Sequence, residues 1–528
     1  MKTHYIVLPI LTACLLLGSS CSKQLDIKPT QEFTADSAYK DLSGYKQGLA
    51  KVYGAIAMTG NAGPAGDQDI QNLDEGTSDF IRLFWKAQEL STDEAVVGWN
   101  DGTIQDIHLM KWTASNEFLA GLYNRVFFHV TLCNEFMRQS KPDLVSSRIK
   151  NPSEASEVAF FRAEARFLRA FQYWVAMDIF GNPPFMDESF AVGGTAPGQI
   201  QRAALFDHVE KELLAVQNDL KDPRTNEYGR ADKAAAWALL ARLYLNAGTY
   251  KPGENRYADA ITYSKKVIDA GYTLEPNYQD LFLADNDLRR NEPILTINYD
   301  GIRTKGYGGT TFIVNASVGA GIDKPKYGLS GGGWGGIRTT EQIVDLFPTD
   351  GSDKRMLFEG SKKQVDVIPD KFTDGFAGGK FKNVTSLGVR GKDNGGTFVD
   401  TDFPLFRLAE MYLVYAEATL RGGAGGDQAL ALEYINKLRF RAYNNTTAGN
   451  VASIDLDFIL AERARELHWE GFRRTDLIRY NKFTTGDYVW AWKGGSRNGN
   501  AVADFRNIYA IPSSDLSANP KLKQNPGY

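Results

Sequence analysis

Residues 229–248 read GRADKAAAWALLARLYLNAG, and their pattern is the strongest indication of the fold class. From Trp237 to Tyr244 the large residues recur at spacings of three and four, which predicts a helix over 232–247. A second helix is predicted over 257–270, where small and medium residues predominate. Because small residues let helices approach closely, the two are predicted to pack against each other.

The first helix of this pair has the spacing of the first helix of a tetratricopeptide repeat, W-x2-L-G-x2-Y, with Ala241 at the glycine position. Two further pairs have similar lengths and weaker spacing, 156–180 with 203–221 and 405–421 with 427–442. The predicted fold class is therefore all-α: a stack of tetratricopeptide-like helix pairs (an α-α superhelix) with long irregular loops and short β insertions.

Two long helices and one irregular region complete the pattern. Apolar periodicity predicts helices over 117–139 and 455–480. Residues 293–400 are rich in glycine and are predicted to form an irregular insertion. Short β-like runs within it are expected at 294–299 and 310–314.

The N-terminus carries an export signal. A short apolar run from Tyr5 to Leu17, followed by Gly18-Ser19-Ser20-Cys21, predicts a lipoprotein signal peptide over residues 1–20. Cys21 would then carry the lipid, and residues 21–30 would be a tether. The alternative is an ordinary signal peptide with an incidental cysteine. No later segment has 18 consecutive apolar residues, so the mature protein is expected to sit on a membrane without crossing it.

Residues 31–528 are predicted to form one globular domain, with a helical N-terminal part to about 290 and a C-terminal part from about 291. Cys14 leaves with the signal and Cys21 is acylated, so Cys133 is left without a partner for an internal disulfide. The formal charge of −4, from 60 basic and 64 acidic residues, does not direct the protein to nucleic acid.

The chain contains no H-E-x-x-H or Walker motif, and the sequence predicts no catalytic residue, no metal and no cofactor. His129 and Cys133 have metal-ligand spacing, but their apolar neighbours favour a buried core position. The turn from Asp285 to Asp287 is either a Ca²⁺ site or a self-capping turn. Paired carboxylates of a glycoside hydrolase are set by three-dimensional spacing, so a hydrolase stays open as an alternative.

The segment 462–480 carries nine charged residues. An anion site is one interpretation of this density. A salt-bridged helix that faces neighbouring helices is favoured, because opposite signs recur at three- and four-residue spacing.

Several aromatic residues lie in polar or glycine-rich surroundings. Sugar rings present C–H faces that pack on aromatic planes, while their hydroxyls need polar partners. Such loops therefore suit a carbohydrate site, although loop aromatics also fold back onto the core. The candidate platforms are Trp85, Trp99, Tyr307 and Trp334, and the nearby polar candidates are Asp74, Arg82, Asn100 and Asp101.

Four long segments identify a family. They are FRAEARFLRAFQYWVAMDIFGNPP (161–184), PLFRLAEMYLVYAEAT (404–419), ERARELHWEGFRRTDLIRY (462–480) and IYAIPSSDLSANPKLKQNPGY (508–528). These resemble the hallmarks of the SusD/RagB family of outer-membrane nutrient-binding lipoproteins. The resemblance implies the same all-α fold, a lipid-anchored position at the cell surface, and delivery of glycan to a SusC-like TonB-dependent transporter.

Further segments, among them YGGTTFIV (307–314) and LFLADND (281–287), are similar to the starch-binding founding member of that family. The similarity implies a non-enzymatic protein that holds starch or another α-glucan against three aromatics, here Trp99, Tyr307 and Trp334. The charged residues with which the founding member hydrogen-bonds its glycan correspond to Asp74 and Arg82.

One position departs from that pattern. Gly102 stands where the relative has an asparagine, so Asn100 or Asp101 takes the role or the contact is lost. Another polysaccharide, a peptide ligand, and a repeat scaffold that binds only proteins are the alternatives to starch.

Overall fold

The computed structural model describes residues 34–60, 63–64, 68–71, 73–190, 193–319, 321–331, 333–360 and 374–528. The helices in these ranges are α1 Ala35–Ala38, α2 Leu42–Gly54, α3 Phe80–Glu89, α4 Gln105–His108, α5 Glu117–Gln139, α6 Pro142–Arg148, α7 Pro152–Phe180, α8 Arg202–Val216, α9 Lys233–Leu245, α10 Ala247–Tyr250, α11 Tyr257–Ile268, α12 Gly309–Ser317, α13 Glu341–Val344, α14 Leu408–Leu420, α15 Gln428–Ala442, α16 Leu456–Leu467, α17 Arg473–Arg479 and α18 Ser513–Ala518. The strands are β1 Val96–Val97, β2 Pro293–Ile297, β3 Ile337–Arg338 and β4 Phe403–Arg407. The predicted signal peptide, Cys21 and the tether lie outside the described residues.

The long helices pack as successive neighbours. Helix α7 lies between α5 and α8, and α9 packs on α11. Helix α11 also packs on α14, which in turn packs on α15. The prediction of an all-α fold built from helix pairs is confirmed. None of the helices described is long and apolar enough to cross a bilayer.

Helix α9 shows why the sequence folds this way. Asp232 is its N-cap and accepts hydrogen bonds from the backbone N–H groups of Ala234 and Ala235, at 2.9 and 3.2 Å. The helix is buried on nearly every side, and its alanines allow the neighbouring helices to approach closely. Trp237 is partly exposed and donates from Nε1 to Gln217 Oε1 at 2.9 Å. The repeat-like spacing thus marks a central helix of the stack.

The β-like runs of the insertion had different outcomes. The run at 294–299 is confirmed as β2, which pairs antiparallel with β4. The prediction for 310–314 was wrong, because these residues belong to α12, which is buried on all sides. A short run such as 310–314, TTFIV, has no periodicity that separates a buried helix from a buried strand.

The predicted helix over 455–480 is two helices, α16 and α17. Between them Trp469 and Gly471 have φ angles of 64° and 85°, which end the first helix. The backbone N–H of Trp469 donates to Glu94 at 2.7 Å, and that of Phe472 donates to Glu89 at 3.2 Å. Carboxylates from a distant segment therefore accept hydrogen bonds from the free backbone N–H groups between the two helices. No local sequence signal reveals these carboxylates.

The charges of this segment form a buried network, in agreement with the salt-bridge interpretation. Glu466 is fully buried and forms ion pairs with Arg355 at 3.1 Å, with Arg407 at 2.6 Å and with Arg441. Glu470 pairs with Arg407 at 2.7 Å. Most partners lie outside the segment, so the network ties the C-terminal helices to β4 and α15.

This network predicts loss of stability in acid. Burial alone would raise the pKa of Glu462, but Arg355, Arg465 and Arg439 outweigh it and lower the pKa to about 2. The pKa of Glu417 is also lowered to about 2, by three arginines acting against burial. A carboxylate with a lowered folded-state pKa stabilises the fold above its unfolded pKa of 4.5, and this stability is lost as the pH falls towards 2.

Urea unfolding midpoints measured from pH 7 to pH 3 are expected to fall steeply below about pH 4.5. The reason is that a carboxyl group whose pKa is about one unit lower in the folded protein adds roughly 1.4 kcal/mol to the free energy of unfolding while it is ionised. A midpoint that stays constant between pH 4.5 and 3 would contradict this prediction.

Candidate functional site

Three aromatic rings from distant segments meet at one pocket. The ring centroids of Trp99 and Trp334 lie 6.5 Å apart, with their planes at 44°. Those of Tyr307 and Trp334 lie 6.1 Å apart at 58°. The pocket has a volume of about 270 Å³, and its other lining residues are Asp74, Gly76, Thr77, Arg82 and Asp101. Three of the four sequence-predicted aromatics therefore form one concave surface.

A short β ladder joins the two tryptophans. Strands β1 and β3 pair antiparallel, and the pairing continues as the Gly98 N–H donates to Gly336 O at 2.7 Å. Trp99 follows β1 and donates from Nε1 to Trp334 O at 3.3 Å. A Cβ atom at Gly336 would lie 1.9 Å from the Trp99 ring, so glycine is required at this position. The glycine-rich loop thus lets the backbone lie against the indole.

Asp79 positions the loop that carries Tyr307. This buried residue is the N-cap of α3, where its Oδ1 accepts from the Arg82 N–H at 2.8 Å. The same oxygen accepts from the Gly309 N–H at 2.8 Å. Burial raises the pKa of Asp79, and these two backbone hydrogen bonds act against the increase. One carboxylate therefore fixes both α3 and the start of α12.

Arg82 holds two loops of the pocket together. Its Nη1 donates to Gly76 O at 2.7 Å and to Tyr307 O at 2.8 Å. Its guanidinium carbon lies 5.7 Å from the centroid of the Trp334 ring. Burial lowers the pKa of Arg82 to about 10, and nearby carboxylates act against this effect. The side chain therefore stays charged at neutral pH.

The candidate polar residues differ in their positions. Asp74 and Asp101 are exposed at the rim and line the pocket, whereas the exposed Asn100 is not among the residues that line it. Gly102 has a φ of 47°, and a Cβ atom there would meet the Glu117 carboxylate, which accepts from the Thr103 N–H. Glu117 thus occupies the space of a side chain at position 102.

Comparison with known proteins agrees with these observations. A model of the SusD family matches residues 354–528. The starch-binding protein SusD of Bacteroides thetaiotaomicron is 36% identical over 585 aligned positions, which cover 100% of both chains. This chain belongs to the SusD family. SusD-like protein P2 of Formosa agariphila is 27% identical, over 71% of this chain and 75% of its own.

Solved structures show the same fold. The surface glycan-binding protein A of Bacteroides thetaiotaomicron, in complex with laminarihexaose, has a TM-score of 0.68 and 20% identity. The match covers 92% of this chain and 99% of that protein. The resemblance to the SusD family predicted from the four sequence segments is confirmed.

Trp85 does not belong to the pocket of this SusD-family chain, so its prediction as a loop platform was wrong. It lies on α3, is fully buried, and donates from Nε1 to Trp469 O at 3.1 Å. Its ring packs edge-on against that of Trp469 at 5.1 Å. The polar residues around it in sequence are themselves buried in the helix, which the sequence did not reveal.

Two metal candidates have other roles in the SusD-family fold. Buried His129 has its Nε2 2.8 Å from Val52 O, and burial lowers its pKa to about 4. Cys133 is also buried, so the core interpretation is confirmed. Asp285 accepts from the N–H and hydroxyl of Ser386 at 2.8 and 2.7 Å, so its carboxylate holds a distant loop and does not cap its own turn. Within the described ranges, no group of three or more His, Cys, Asp or Glu side chains is placed to bind a metal.

Proposed function

We propose that this SusD-family protein binds starch or a related α-glucan in the aromatic pocket, without catalysis. The protein would be displayed at the outer membrane by a lipid on Cys21 and would pass glycan to a SusC-like TonB-dependent transporter. The observation that carries the proposal is the meeting of Trp99, Tyr307 and Trp334 at one pocket. A relative that is 36% identical over its full length, the starch-binding protein SusD, supports α-glucan as the ligand.

The ring geometry suits a curved chain of sugars. The planes are tilted by 44° and 58°, so the three rings form a curved platform and not a flat one. Successive units of a coiled α-glucan turn their C–H faces in different directions, and each ring can pack against one face. The exposed carboxylates of Asp74 and Asp101 are placed to accept hydrogen bonds from hydroxyls.

The direct test is native electrophoresis in gels that contain amylopectin, with a parallel assay for reducing sugar. We expect retardation of the purified protein and no release of sugar. Steady release of sugar would favour a glycoside hydrolase. Retardation in laminarin gels alone would favour another polysaccharide, and migration unchanged by any polysaccharide would favour a scaffold that binds only proteins.

The anchor is tested by replacing Cys21 with alanine. The variant is expected to move from the membrane fraction to the soluble fraction, because a peripheral protein loses its main apolar attachment with its lipid. The assay is fractionation of cells in high salt, in a strain without the transporter. A variant that still sediments with membranes would contradict the lipid anchor.

Asp79 provides a test of how the pocket is built. Asp79→Ala is expected to weaken α-glucan binding by roughly fivefold, because the backbone hydrogen bond from Gly309 that fixes the Tyr307 loop is lost, worth about 1 kcal/mol, and the N-cap of α3 is lost with it. Isothermal titration with maltoheptaose measures the change.

Asp455→Ala is the matched control, since Asp455 is the N-cap of α16 and accepts from the Phe458 N–H at 2.8 Å. It is expected to lose stability but not affinity. Equal affinity in both variants would show that Asp79 does not position the pocket.

A further inference from the structure

A second groove lies between residues 272–276 and helix α15. It has a volume of about 490 Å³, larger than the 270 Å³ of the aromatic pocket. The residues that line it include Tyr272, Glu275, Tyr412 and Phe440, and none of its lining residues belongs to the aromatic pocket. The groove is therefore a separate feature of the surface.

Aromatic and apolar groups form part of the groove. Phe440 is 40% exposed, and it lies one turn after Lys437 on the solvent side of α15. The largely buried Tyr412 contributes a wall, and its ring stacks on Tyr434 with centroids 4.6 Å apart and planes at 8°. Pro276 also lines the groove. Phe440 thus offers an accessible ring beside a fixed wall.

Polar groups without protein partners line the same groove. Glu275 is only 8% exposed, and among the described residues its carboxylate has no hydrogen-bond or ion-pair partner. Burial is the main cause that raises its pKa. Its carboxylate oxygens are open to the groove, and a ligand that donates hydrogen bonds can reach them. The exposed Asn445 and Asn450 add amide groups at the rim.

We infer that this groove is a second carbohydrate-binding site, which takes hexose units of the same α-glucan. This inference rests on the proposed function. Phe440 would pack against the C–H face of one sugar, and Glu275 would accept hydrogen bonds from two neighbouring hydroxyls. An apolar ring beside a carboxylate and two amides is the combination that a polyhydroxylated ring requires.

Two sites on one chain change how the protein binds polymers. A polysaccharide held in the aromatic pocket would present further units to the groove at high effective concentration. A short oligosaccharide gains nothing from this arrangement, because separate molecules occupy the two sites. The groove therefore increases affinity for long chains.

Titration with maltoheptaose is the test. Wild-type protein is expected to bind two molecules per chain, and Phe440→Ala and Glu275→Gln are each expected to bind one. In amylopectin gels, both variants are expected to bind at least tenfold more weakly than wild type. Val489→Ala, which removes an apolar side chain that is 36% exposed and lines neither site, is the control and is expected to bind as wild type does.

The outcomes separate the two proposals. If wild type binds one molecule and Phe440→Ala leaves the affinity for polymer unchanged, the proposal of a second binding site is overturned and the proposed function stands. Wild type that binds no glucan overturns both. The variant that lacks the three pocket rings is expected to keep weak binding, and Phe440→Ala in that background is expected to remove it. Residual binding that survives Phe440→Ala would also overturn the groove.

Discussion

Replacement of Trp99, Tyr307 and Trp334 together with alanine is expected to abolish measurable binding of α-glucan by the aromatic pocket. Each ring that packs against a sugar is worth roughly 1 kcal/mol, the middle of the range for aromatic contacts. Loss of all three costs about 3 kcal/mol, a factor of about 150 in the dissociation constant. Titration with maltoheptaose measures the loss, and each single variant is expected to bind roughly fivefold more weakly.

The structure changes one expectation about this variant. Loop residues are generally expected to add little to the core, but Trp99 and Trp334 are partly buried and pack against it. The Trp99 ring lies 6.2 Å from that of Phe312. The triple variant is therefore expected to lose stability as well as affinity, and its unfolding curve must be recorded beside the titration.

Tyr307→Phe is the control for the platform. It keeps the ring and is expected to bind within about twofold of wild type, since only a hydroxyl is removed. Loss of binding in Tyr307→Phe, or full binding in the folded triple variant, would contradict the role of the three rings.

Replacement of Glu466 with glutamine is expected to destabilise the protein by about 3–5 kcal/mol, because removal of one partner leaves buried charges uncompensated. Glu466 contacts Arg355, Arg407 and Arg441, all of which are buried. The amide keeps the shape of the side chain but loses its charge. Urea unfolding followed by circular dichroism measures the change, and failure of the variant to fold would agree with the prediction.

Glu433→Gln is the matched control. Glu433 pairs with Lys437 at 2.8 Å on the surface of α15, where both side chains are about half exposed. Such a pair is worth about 0.3–0.5 kcal/mol, so its loss is expected to leave the midpoint almost unchanged. Equal midpoints for Glu466→Gln and Glu433→Gln would show that the buried network does not stabilise the fold.

The long helices and the family can be predicted from the amino-acid sequence alone. Helix α5 runs from Glu117 to Gln139, the bounds that periodicity predicts, because its apolar stripe and its N-cap Asn116 are local signals. The repeat-like spacing from Trp237 to Tyr244 likewise identified a helix that packs on its successor. Long motifs then identified the family, and the similarity named the three rings.

The positions of those rings and the contacts that hold them depend on the tertiary structure. Tyr307 and Trp334 reach Trp99 because β1 pairs with β3 and because Gly336 lets an indole lie against its backbone. The same three-dimensional contacts buried Trp85 and made a helix of 309–317. They also let Asp79 accept hydrogen bonds from the backbone of both α3 and the start of α12. They place Glu275 and Phe440 in one groove. Periodicity reports which face of an element is apolar, but contacts between distant segments depend on packing, which no local pattern encodes.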